Sequence, residues 1–447
     1  MRQQPARRSC EGNSPAPLCA KRSVKKIALL CIVTGMIGAS SLTAFAIQTV
    51  EPAEDSPMQQ SDRPRAREAG IVIGVFDPGE HNAITDVPGV KVGHQTLRNS
   101  DSQRTGVTAI LPHDGNIFQH KVPAAIAVGN GFGKLLGVTQ VRELGLIETP
   151  ILLTNTVSTF AVADALVAYT LDLPGNEDVQ SVNPVVGECN DGYLNDIRAM
   201  SVTREDAWAA IEAAEAGEVA EGCVGAGTGT RCMGFKGGIG TSSRVLPENM
   251  GSYTVGVLVQ TNFGGILNID GAPVGEELGV HAFRRPDRSR TGNARQQQQP
   301  AAQQELDEPD QEHGSCMIVV ATNAPLDARQ LERLARRALL GLAALGSPMT
   351  HGSGDYVIAF STAEELRVPY VRGKNTQAGE VVRDDRISPL FQAAKEATEE
   401  AVLNSLFKAE TTTGRDGNVA RALPLDEALE ICRKHGVLQE SNDNSGR

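Results

Sequence analysis

Glu312-His313-Gly314-Ser315-Cys316-Met317-Ile318-Val319-Val320 is the segment on which our interpretation of this 447-residue chain rests. A glycine precedes a serine, and an apolar run with strand character follows at once. If the Ser315 hydroxyl attacks the Gly314 carbonyl, the peptide becomes an ester, which water opens to leave Ser315 as a new amino terminus. The freed α-amine titrates near pH ~7.7 and is then available as a base. The alternative is a turn before a strand, because Gly-Ser pairs arise by chance among 46 glycines.

A polar tract lies directly upstream of this segment, over residues 285–312. It is rich in charge, glutamine and proline, and it has few apolar residues with which to bury a face. We therefore predict a disordered tract there, which would leave the bond between Gly314 and Ser315 accessible to cleavage. Cleavage would give an α chain, ordered from about residue 71 and ending at residue 314, and a β chain over residues 315–447.

The composition is that of a globular protein with a sizeable core, since 40% of the residues are hydrophobic and the formal charge is -12. The acidic balance argues against a nucleic-acid partner, because phosphate binding needs clustered Lys and Arg. The eight histidines are scattered without ligand spacing. This predicts no metal site, and no other cofactor is expected.

The amino terminus has the pattern of a secretory signal peptide over residues 1–46. Basic residues up to Lys26 precede an apolar run over residues 27–37, and Ala44-Phe45-Ala46 supplies a small-x-small cleavage site. The polar stretch 47–70 is predicted to be a flexible leader. These features predict a periplasmic or secreted protein with no stable membrane partner beyond the signal segment, and an uncleaved membrane anchor is the alternative. The five cysteines outside the signal are predicted to be mostly buried thiols.

Short β-branched runs separated by Gly-rich turns predict a series of strands. The predicted strands cover residues 71–75, 106–111, 124–128, 150–153, 253–260, 317–322 and 356–361. Four helices are predicted to begin at Thr203, Asp327, Ser388 and about Asp426, each from a capping residue, an early proline or an amphipathic pattern. A mixture of this kind predicts sheets covered by helices.

Two Gly-rich stretches resemble nucleotide-binding loops without matching them. Gly129 to Lys134 has a misplaced first glycine and Leu135 where a magnesium-binding Ser or Thr should follow, so a turn is predicted. Gly225 to Thr230 fails the dinucleotide spacing, and it is predicted to let the backbone approach a substrate or another chain closely. His351 fits the wall of a site and an ordinary loop equally well.

Five blocks of this sequence resemble the P1-type family of self-processing serine aminopeptidases, peptidase family S58, which includes L-aminopeptidase/D-esterase and the β-peptidyl aminopeptidases. The similarity extends from about Ile71 to the last helix, in the family's order. The blocks are Gly187 to Asp196, Gly225 to Gly229, Val259 to Gly264, Gly314 to Met317 and His351 to Asp355.

The resemblance implies an α+β fold, a four-layer αββα sandwich similar to that of amino-terminal nucleophile hydrolases but differently connected. It also implies a homo-oligomer assembled from several αβ heterodimers, a small peptide, amide or ester substrate, and no cofactor.

The resemblance further assigns roles to individual residues. Ser315 becomes the nucleophile, and Asn262 matches the amide that stabilises the oxyanion. Ser353 and Asp355 match the second serine and the acid along the nucleophile's proton path, while Glu188 matches the carboxylate that binds the substrate's free amine.

One position departs from the family pattern. Family members often carry an aromatic hydroxyl two residues after the amine-binding acid, and this chain has Asn190 there. Tyr193 lies close in sequence, so Asn190 and Tyr193 join Glu188 as predicted substrate-binding residues. The polar insertion before Ser315 is also longer than is usual in the family.

The function predicted is that of an exported, autoprocessed aminopeptidase that releases a small amino-terminal residue, with D- and β-residues among the candidates, through an acyl-enzyme. Two alternatives stay open. An acyltransferase or amide-oligomer hydrolase would share the fold, although such relatives typically use a Thr nucleophile. A noncatalytic scaffold protein would remain a single unprocessed chain.

Overall fold

The computed structural model of this chain describes residues 62–281, 283, 313–370 and 379–438, all of which belong to one unit. The predicted signal peptide, the leader before residue 62 and the tract 285–312 lie outside these residues. In the part of the chain that is described, no helix is both long enough and apolar enough to cross a bilayer.

The described strands are numbered in chain order. They are β1 (Lys91–Leu97), β2 (Thr105–Leu111), β3 (His120–Gly131), β4 (Leu135–Leu136), β5 (Leu146–Ile147), β6 (Ile151–Asn155), β7 (Val185–Cys189), β8 (Arg231–Cys232), β9 (Phe235–Lys236), β10 (Ile239–Val245), β11 (Thr254–Asn262), β12 (His313–Thr322), β13 (Gly352–Ser361), β14 (Val368–Pro369), β15 (Thr412–Thr413) and β16 (Val419–Ala420).

The α-helices are numbered in the same way. They are α1 (Val138–Leu144), α2 (Thr159–Asp172), α3 (Arg204–Glu212), α4 (Val274–Glu277), α5 (Ala328–Ala344), α6 (Ser388–Phe407) and α7 (Leu425–Lys434).

Among the described residues, the first sheet has five strands in the order β1-β2-β6-β7-β4, in which β6 and β7 are parallel and the other neighbours antiparallel. Helices α2 and α3 cover its outer face. Leu166 of α2 and Ala210 of α3 are fully buried in a cluster with Val107 and Leu152 of the strands.

The second sheet follows the order β10-β11-β12-β13-β3-β14, with β5 paired beside β14 on β3. Its centre is the parallel pair β12 and β13, which align over ten residues each. Helices α5 and α6 cover the outer face, where Leu334 and Ala397 pack with Ile318 and Val357.

The two sheets face each other across a third apolar cluster. Met317 and Val319 of β12 meet Leu153 of β6 and Val185 of β7 there, all at most 1% exposed. The layers are therefore helices, sheet, sheet and helices, which confirms the predicted four-layer αββα sandwich.

The predicted helix starts are confirmed at their capping residues. The Asp206 N–H donates to Thr203 Oγ1 at 3.3 Å, and the Gln330 N–H donates to Asp327 Oδ1 at 2.7 Å. A proline occupies the first turn of α6. Six of the seven predicted strands are also present, with longer bounds than expected.

The strand predicted over residues 71–75 is wrong. Ile71 and Ile73 are buried, as a strand there would require, but the backbone does not enter a sheet. The N–H groups of Val75 and Phe76 donate instead to the Glu396 carboxylate, at 3.0 and 3.2 Å. Helix α6 thus supplies the partners that a strand would have found in a ladder.

The leader boundary near residue 71 is placed too late. Residues 62–70 are described, and Ala66 is fully buried with its N–H bonded to Asn404 Oδ1 at 3.0 Å. Arg63 donates to the carbonyls of Phe407 and Leu423, each at 2.7 Å. These side-chain contacts hold a polar segment whose composition alone resembles a linker.

Candidate active site

Ser315 lies near the start of β12, between two strands that bring a polar residue and a glycine to its side. In the ladder it pairs with Asn262 on β11 and with Gly354 on β13. Its side chain has the same parity as Met317, so it points between the two sheets. Ser315 is 3% exposed, and its Oγ has no hydrogen-bond partner among the described residues.

Two glycines make room around this serine. A Cβ on Gly314 would come within 2.8 Å of both the Asn262 carbonyl oxygen and the Phe263 Cα. A Cβ on Gly354 would lie 2.6 Å from the Gly133 Cα. Because backbone cannot move away as a flexible side chain can, both positions require glycine for close approach rather than for a turn.

Glu188 is a buried carboxylate near the end of β7, with a side chain that lines the same pocket as Ser315. Its Oε1 accepts from the Lys134 N–H at 2.8 Å, and its Oε2 accepts from the Thr156 hydroxyl. The Lys134 ammonium lies 3.8 Å away as a loose ion pair. These contacts orient a negative group that can receive a cation from the pocket.

The amide of Asn262 is oriented by a neighbouring backbone group. Its Oδ1 accepts from the Arg231 N–H at 3.0 Å, and the residue lines the pocket. Since the oxygen is held by the protein, the Nδ2 end is the one available to a substrate oxygen. An amide N–H next to a candidate nucleophile such as Ser315 is the kind of donor that stabilises a developing oxyanion.

Ser353 and Asp355 form a buried pair on β13. Ser353 Oγ donates to Asp355 Oδ1 at 2.9 Å, while Asp355 Oδ2 has no partner among the described residues. Burial raises the pKa of Asp355 to about 6, against the opposing effect of the Ser353 hydrogen bond. A carboxyl with such a pKa exchanges its proton close to neutral pH.

This pair does not contact the Ser315 hydroxyl. Ser353 and Asp355 share their parity with Val357, which packs toward helices α5 and α6, whereas Ser315 points between the sheets. In the ladder, however, Ser353 aligns with Gly314. The pair therefore stands one strand away from the Gly314–Ser315 peptide bond, on the other face of the sheet.

A single pocket of about 660 Å³ brings most of the predicted residues together. Its lining includes six of them: Glu188, Asn190, Tyr193, Asn262, Gly314 and Ser315. Ser353 and Asp355 lie behind it. The pocket thus combines a carboxylate, an amide and a free hydroxyl, which can bind an amine, stabilise an oxyanion and attack a carbonyl.

Asn190, which departs from the family pattern, and the nearby Tyr193 each contact other residues of the protein. Asn190 is exposed, and its Oδ1 accepts from the Gly192 N–H at 2.9 Å. The Tyr193 ring lies under the Arg231 guanidinium, 3.7 Å from the cation to the ring centroid. Both line the pocket, and their roles in binding stay predictions.

The sequence interpretation missed several supports of this site. Thr156 and Lys134 hold Glu188, Arg231 holds Asn262, and the Cys189 thiol lies 3.5 Å from the Ser315 carbonyl oxygen. The sequence pattern drew attention only to Lys134, because it ends the Gly-rich stretch that begins at Gly129. The others carried none, since their neighbours are distant in sequence.

The remaining predictions near the site have clear outcomes. A Cβ on Gly227 would come within 2.4 Å of the Ile239 nitrogen, so this stretch lies against the protein's own backbone, and its approach to a substrate or another chain stays a prediction. His351 is absent from the pocket lining, and its ring lies 5.9 Å from that of Phe132. The five cysteines of the described part are free and buried, as predicted.

Comparison with known proteins gives extensive matches. A sequence model described as peptidase family S58 matches residues 82–420. The chain is 41% identical over 387 residues to the beta-peptidyl aminopeptidase BapA of Sphingosinicella microcystinivorans, covering 84% of this chain and 93% of that protein.

Two solved structures are similar over nearly their full length. The Burkholderia sp. beta-aminopeptidase has a TM-score of 0.73 and 41% identity, with 83% of this chain and 99% of that chain covered. The L-aminopeptidase D-Ala-esterase/amidase of Ochrobactrum anthropi has a TM-score of 0.73 and 35% identity, with 84% and 100% covered.

These similarities agree with the geometry of the pocket and with the layers of the fold. The Ochrobactrum structure is described as a new variant among the Ntn hydrolase fold, which is the fold class predicted here. The chain belongs to peptidase family S58 and is a serine-type aminopeptidase.

Proposed function

We propose that Ser315 is the nucleophile of this aminopeptidase and that Glu188 selects substrates with a free amino terminus. The observation that carries the proposal is the shared pocket, in which Glu188, Asn262 and an unpartnered Ser315 hydroxyl meet. A substrate lacking the amine would leave a buried carboxylate without a cation, which is costly.

The enzyme first cleaves itself. The Ser315 Oγ attacks the Gly314 carbonyl carbon, the C–N bond breaks as the ester forms, and the nitrogen takes the hydroxyl proton. Water then hydrolyses the ester to release the Gly314 carboxylate and the free Ser315 hydroxyl and amine. Support comes from the unpartnered Oγ next to the scissile carbonyl and from the Asn262 amide beside it.

The processed enzyme then acts on substrate by the same chemistry. The Ser315 amine accepts the hydroxyl proton while Oγ attacks the substrate carbonyl, and the oxyanion receives the Asn262 Nδ2–H. The leaving amine departs with that proton, and water hydrolyses the acyl-enzyme. The Ser353–Asp355 pair, beside the Gly314–Ser315 bond, is suited to hold the charge of the new amine.

The substrate is a peptide, amide or ester with a small amino-terminal residue, D- and β-residues included. The names of the similar proteins support this range, since they describe β-peptidyl and D-Ala activities. The basic, apolar and small-x-small pattern before residue 47 supports export to the periplasm or the cell exterior. Assembly from several αβ pairs stays a prediction of the family resemblance.

The test compares the wild-type protein with Ser315→Ala and with Ser181→Ala, an exposed serine outside the pocket. Wild type and Ser181→Ala should run as two chains on a denaturing gel, the smaller beginning Ser-Cys-Met-Ile, and should hydrolyse β-alanyl and alanyl amides. Ser315→Ala should remain one chain and lose roughly 10⁶-fold in kcat, as expected for a lost hydroxyl nucleophile. Two chains with the same new terminus in Ser315→Ala would refute the assignment.

A further inference from the structure

The carboxylate of Glu188 has a cation of the protein itself beside it. The Lys134 Nζ lies 3.8 Å from Glu188 Oε1, and both residues line the pocket. At this distance the two charges attract each other, but they are too far apart for a hydrogen bond. The Glu188 side chain is 3% exposed, whereas that of Lys134 is 44% exposed. The carboxylate is therefore fixed inside the protein, while the ammonium can move into water.

The backbone at Lys134 holds Glu188 independently of the lysine side chain. The Lys134 N–H donates to Glu188 Oε1 at 2.8 Å. The residues on either side are anchored to the sheets, since the Gly133 carbonyl accepts from the Tyr356 hydroxyl at 2.7 Å and Leu135 pairs with Gly187. Removing the Lys134 side chain should therefore leave the Oε1 hydrogen bond and the position of Glu188 unchanged.

Both oxygens of the Glu188 carboxylate retain capacity for a further donor. Oε1 accepts from the Lys134 N–H and Oε2 from the Thr156 hydroxyl, and each carboxylate oxygen can accept two hydrogen bonds. A substrate ammonium can therefore bind these oxygens at hydrogen-bond distance, closer than the Lys134 ammonium lies. Two ammonium groups beside one carboxylate repel each other, which favours displacement of the half-exposed lysine.

We propose that Lys134 is the resident counter-ion of Glu188 and that it thereby sets how strongly the enzyme discriminates between free and blocked amines on its substrates. The proposal rests on the aminopeptidase function above. A charged substrate amine replaces Lys134 at the carboxylate, so its net gain in binding is reduced by the ion pair that it breaks. An amino-blocked substrate leaves Lys134 in place, which lessens the cost of a buried carboxylate that the substrate does not neutralise.

Removing the charge of Lys134 should therefore affect the two classes of substrate in opposite directions. Lys134→Met keeps the backbone N–H and most of the apolar stem of the side chain. For a substrate with a free amine, KM should fall about two- to fivefold, the range expected for a partly exposed ion pair. Because Lys134 does not touch the reacting carbonyl, kcat should stay within about twofold. For a blocked substrate, kcat/KM should fall.

The experiment measures kcat and KM for β-alanine methyl ester and its N-acetyl derivative in wild type, Lys134→Met and Lys134→Arg. In Lys134→Met the ratio of kcat/KM for the free ester over the blocked ester should rise at least about threefold. Lys134→Arg keeps the positive charge and should keep the ratio near that of wild type. A smaller fraction of folded enzyme would lower the apparent kcat for both esters equally and would leave their ratio unchanged.

Inhibition by propylamine provides a second measurement, which depends on binding alone. This molecule has an ammonium group but no carbonyl for Ser315 to attack. Its competitive inhibition constant should fall about two- to fivefold in Lys134→Met, in parallel with KM for the free ester.

Lys91→Met is the matched control, because it breaks an ion pair between a lysine and Asp114 outside the pocket. It should keep the wild-type ratio and the wild-type inhibition constant. The proposal is overturned if Lys134→Met leaves the ratio unchanged or lowers it, or if Lys134→Arg raises the ratio as much as Lys134→Met does. Failure of wild type to hydrolyse either ester would instead refute the proposed function.

Discussion

Two buried charged regions of this molecule are built in opposite ways. One is the cluster of Arg244, Glu396 and Glu400 between β10 and α6, and the other is the pocket around Ser315. Both involve strands of the second sheet, and Arg244, Glu396, Glu400 and Ser315 are all buried. In the first, each charge has a partner, whereas in the second polar atoms are left without one.

The Arg244 cluster satisfies its members completely. Arg244 lies 2.7 Å from Glu400 and 3.3 Å from Glu396, with all three side chains 0% exposed, and Arg67 adds a second cation at 3.0 Å. Burial alone would raise the pKa of Glu400, but the charges of Arg244 and Arg67 and their hydrogen bonds hold it below its usual value. The cluster therefore connects α6 to β10 with each of its charged groups paired.

The site leaves two buried oxygens unmatched among the described residues, Ser315 Oγ in the pocket and Asp355 Oδ2 behind it. Leaving buried polar atoms without partners costs stability, so such atoms are retained where chemistry needs them. The comparison indicates that the paired cluster contributes stability that the active site gives up. Three substitutions test this, from the largest expected effect to the smallest.

Arg244→Met should destabilise the fold by about 3–5 kcal/mol, because it leaves the buried Glu396 carboxylate without a cation and Glu400 with Arg67 alone. Denaturant unfolding at one fixed protein concentration would measure this in a Ser315→Ala background, in which we expect the chain to stay uncut. Arg329→Met, which removes an exposed ion pair with Asp384, is the control and should have little effect. Equal losses in the two variants would contradict the assigned role of the cluster.

Asp355→Asn should stabilise the fold at neutral pH, whereas Arg244→Met should destabilise it. The folded pKa of about 6 lies above the unfolded value of 3.8, so Asp355 stabilises the fold fully below about pH 4 and loses that contribution as the pH rises through 6. At pH 7 the variant should be more stable than its parent by at most about 3 kcal/mol, and near pH 4 the gain should vanish.

Unfolding curves at pH 4 and pH 7, again on Ser315→Ala, would check the Asp355 prediction. An Asp-to-Asn change elsewhere in the chain could serve as a control, but Asp206→Asn is unsuitable. Asp206 accepts two hydrogen bonds from Thr203 that cap α3, so this change would itself alter stability. If the difference in unfolding free energy between parent and variant does not change with pH, the buried Asp355 carboxylate must be stabilised by an interaction rather than by protonation.

Glu188→Gln should reduce kcat/KM for substrates with a free amine by roughly 10–100-fold, the cost of one charge-assisted contact. Esters with a blocked amine should lose far less. Steady-state kinetics on matched free and acetylated esters would measure this, with Glu205→Gln on the exposed face of α3 as control. Equal losses on both esters would remove Glu188 from amine binding.

Local patterns were sufficient for much of the fold. Capping residues at Thr203 and Asp327 act within one helical turn, and the apolar run after Ser315 forms its strand wherever that strand pairs. The strand predicted at residues 71–75 failed because its partner, Glu396, lies 321 residues away from Val75. No local pattern can report a contact of that separation.

The candidate site, like the fold, was predicted from the sequence only in part. Residue types and the family blocks identified Ser315, Asn262 and Glu188, which the structure brings into one pocket. They did not show that Ser353 and Asp355 occupy the opposite face of the sheet from Ser315, because facing depends on register and on the cluster that each side meets. They also missed Thr156 and Arg231, which act on Glu188 and Asn262 from other strands and loops.

The sequence by itself determined most of the elements and indicated the family and the candidate nucleophile, because periodicity, caps and short motifs are properties of neighbouring residues. Tertiary structure alone decided which polar groups meet: the paired cluster at Arg244, and the unmatched oxygens of Ser315 and Asp355. The physical reason is that electrostatic partners act through space over a few ångströms, and the fold sets that distance independently of separation along the chain.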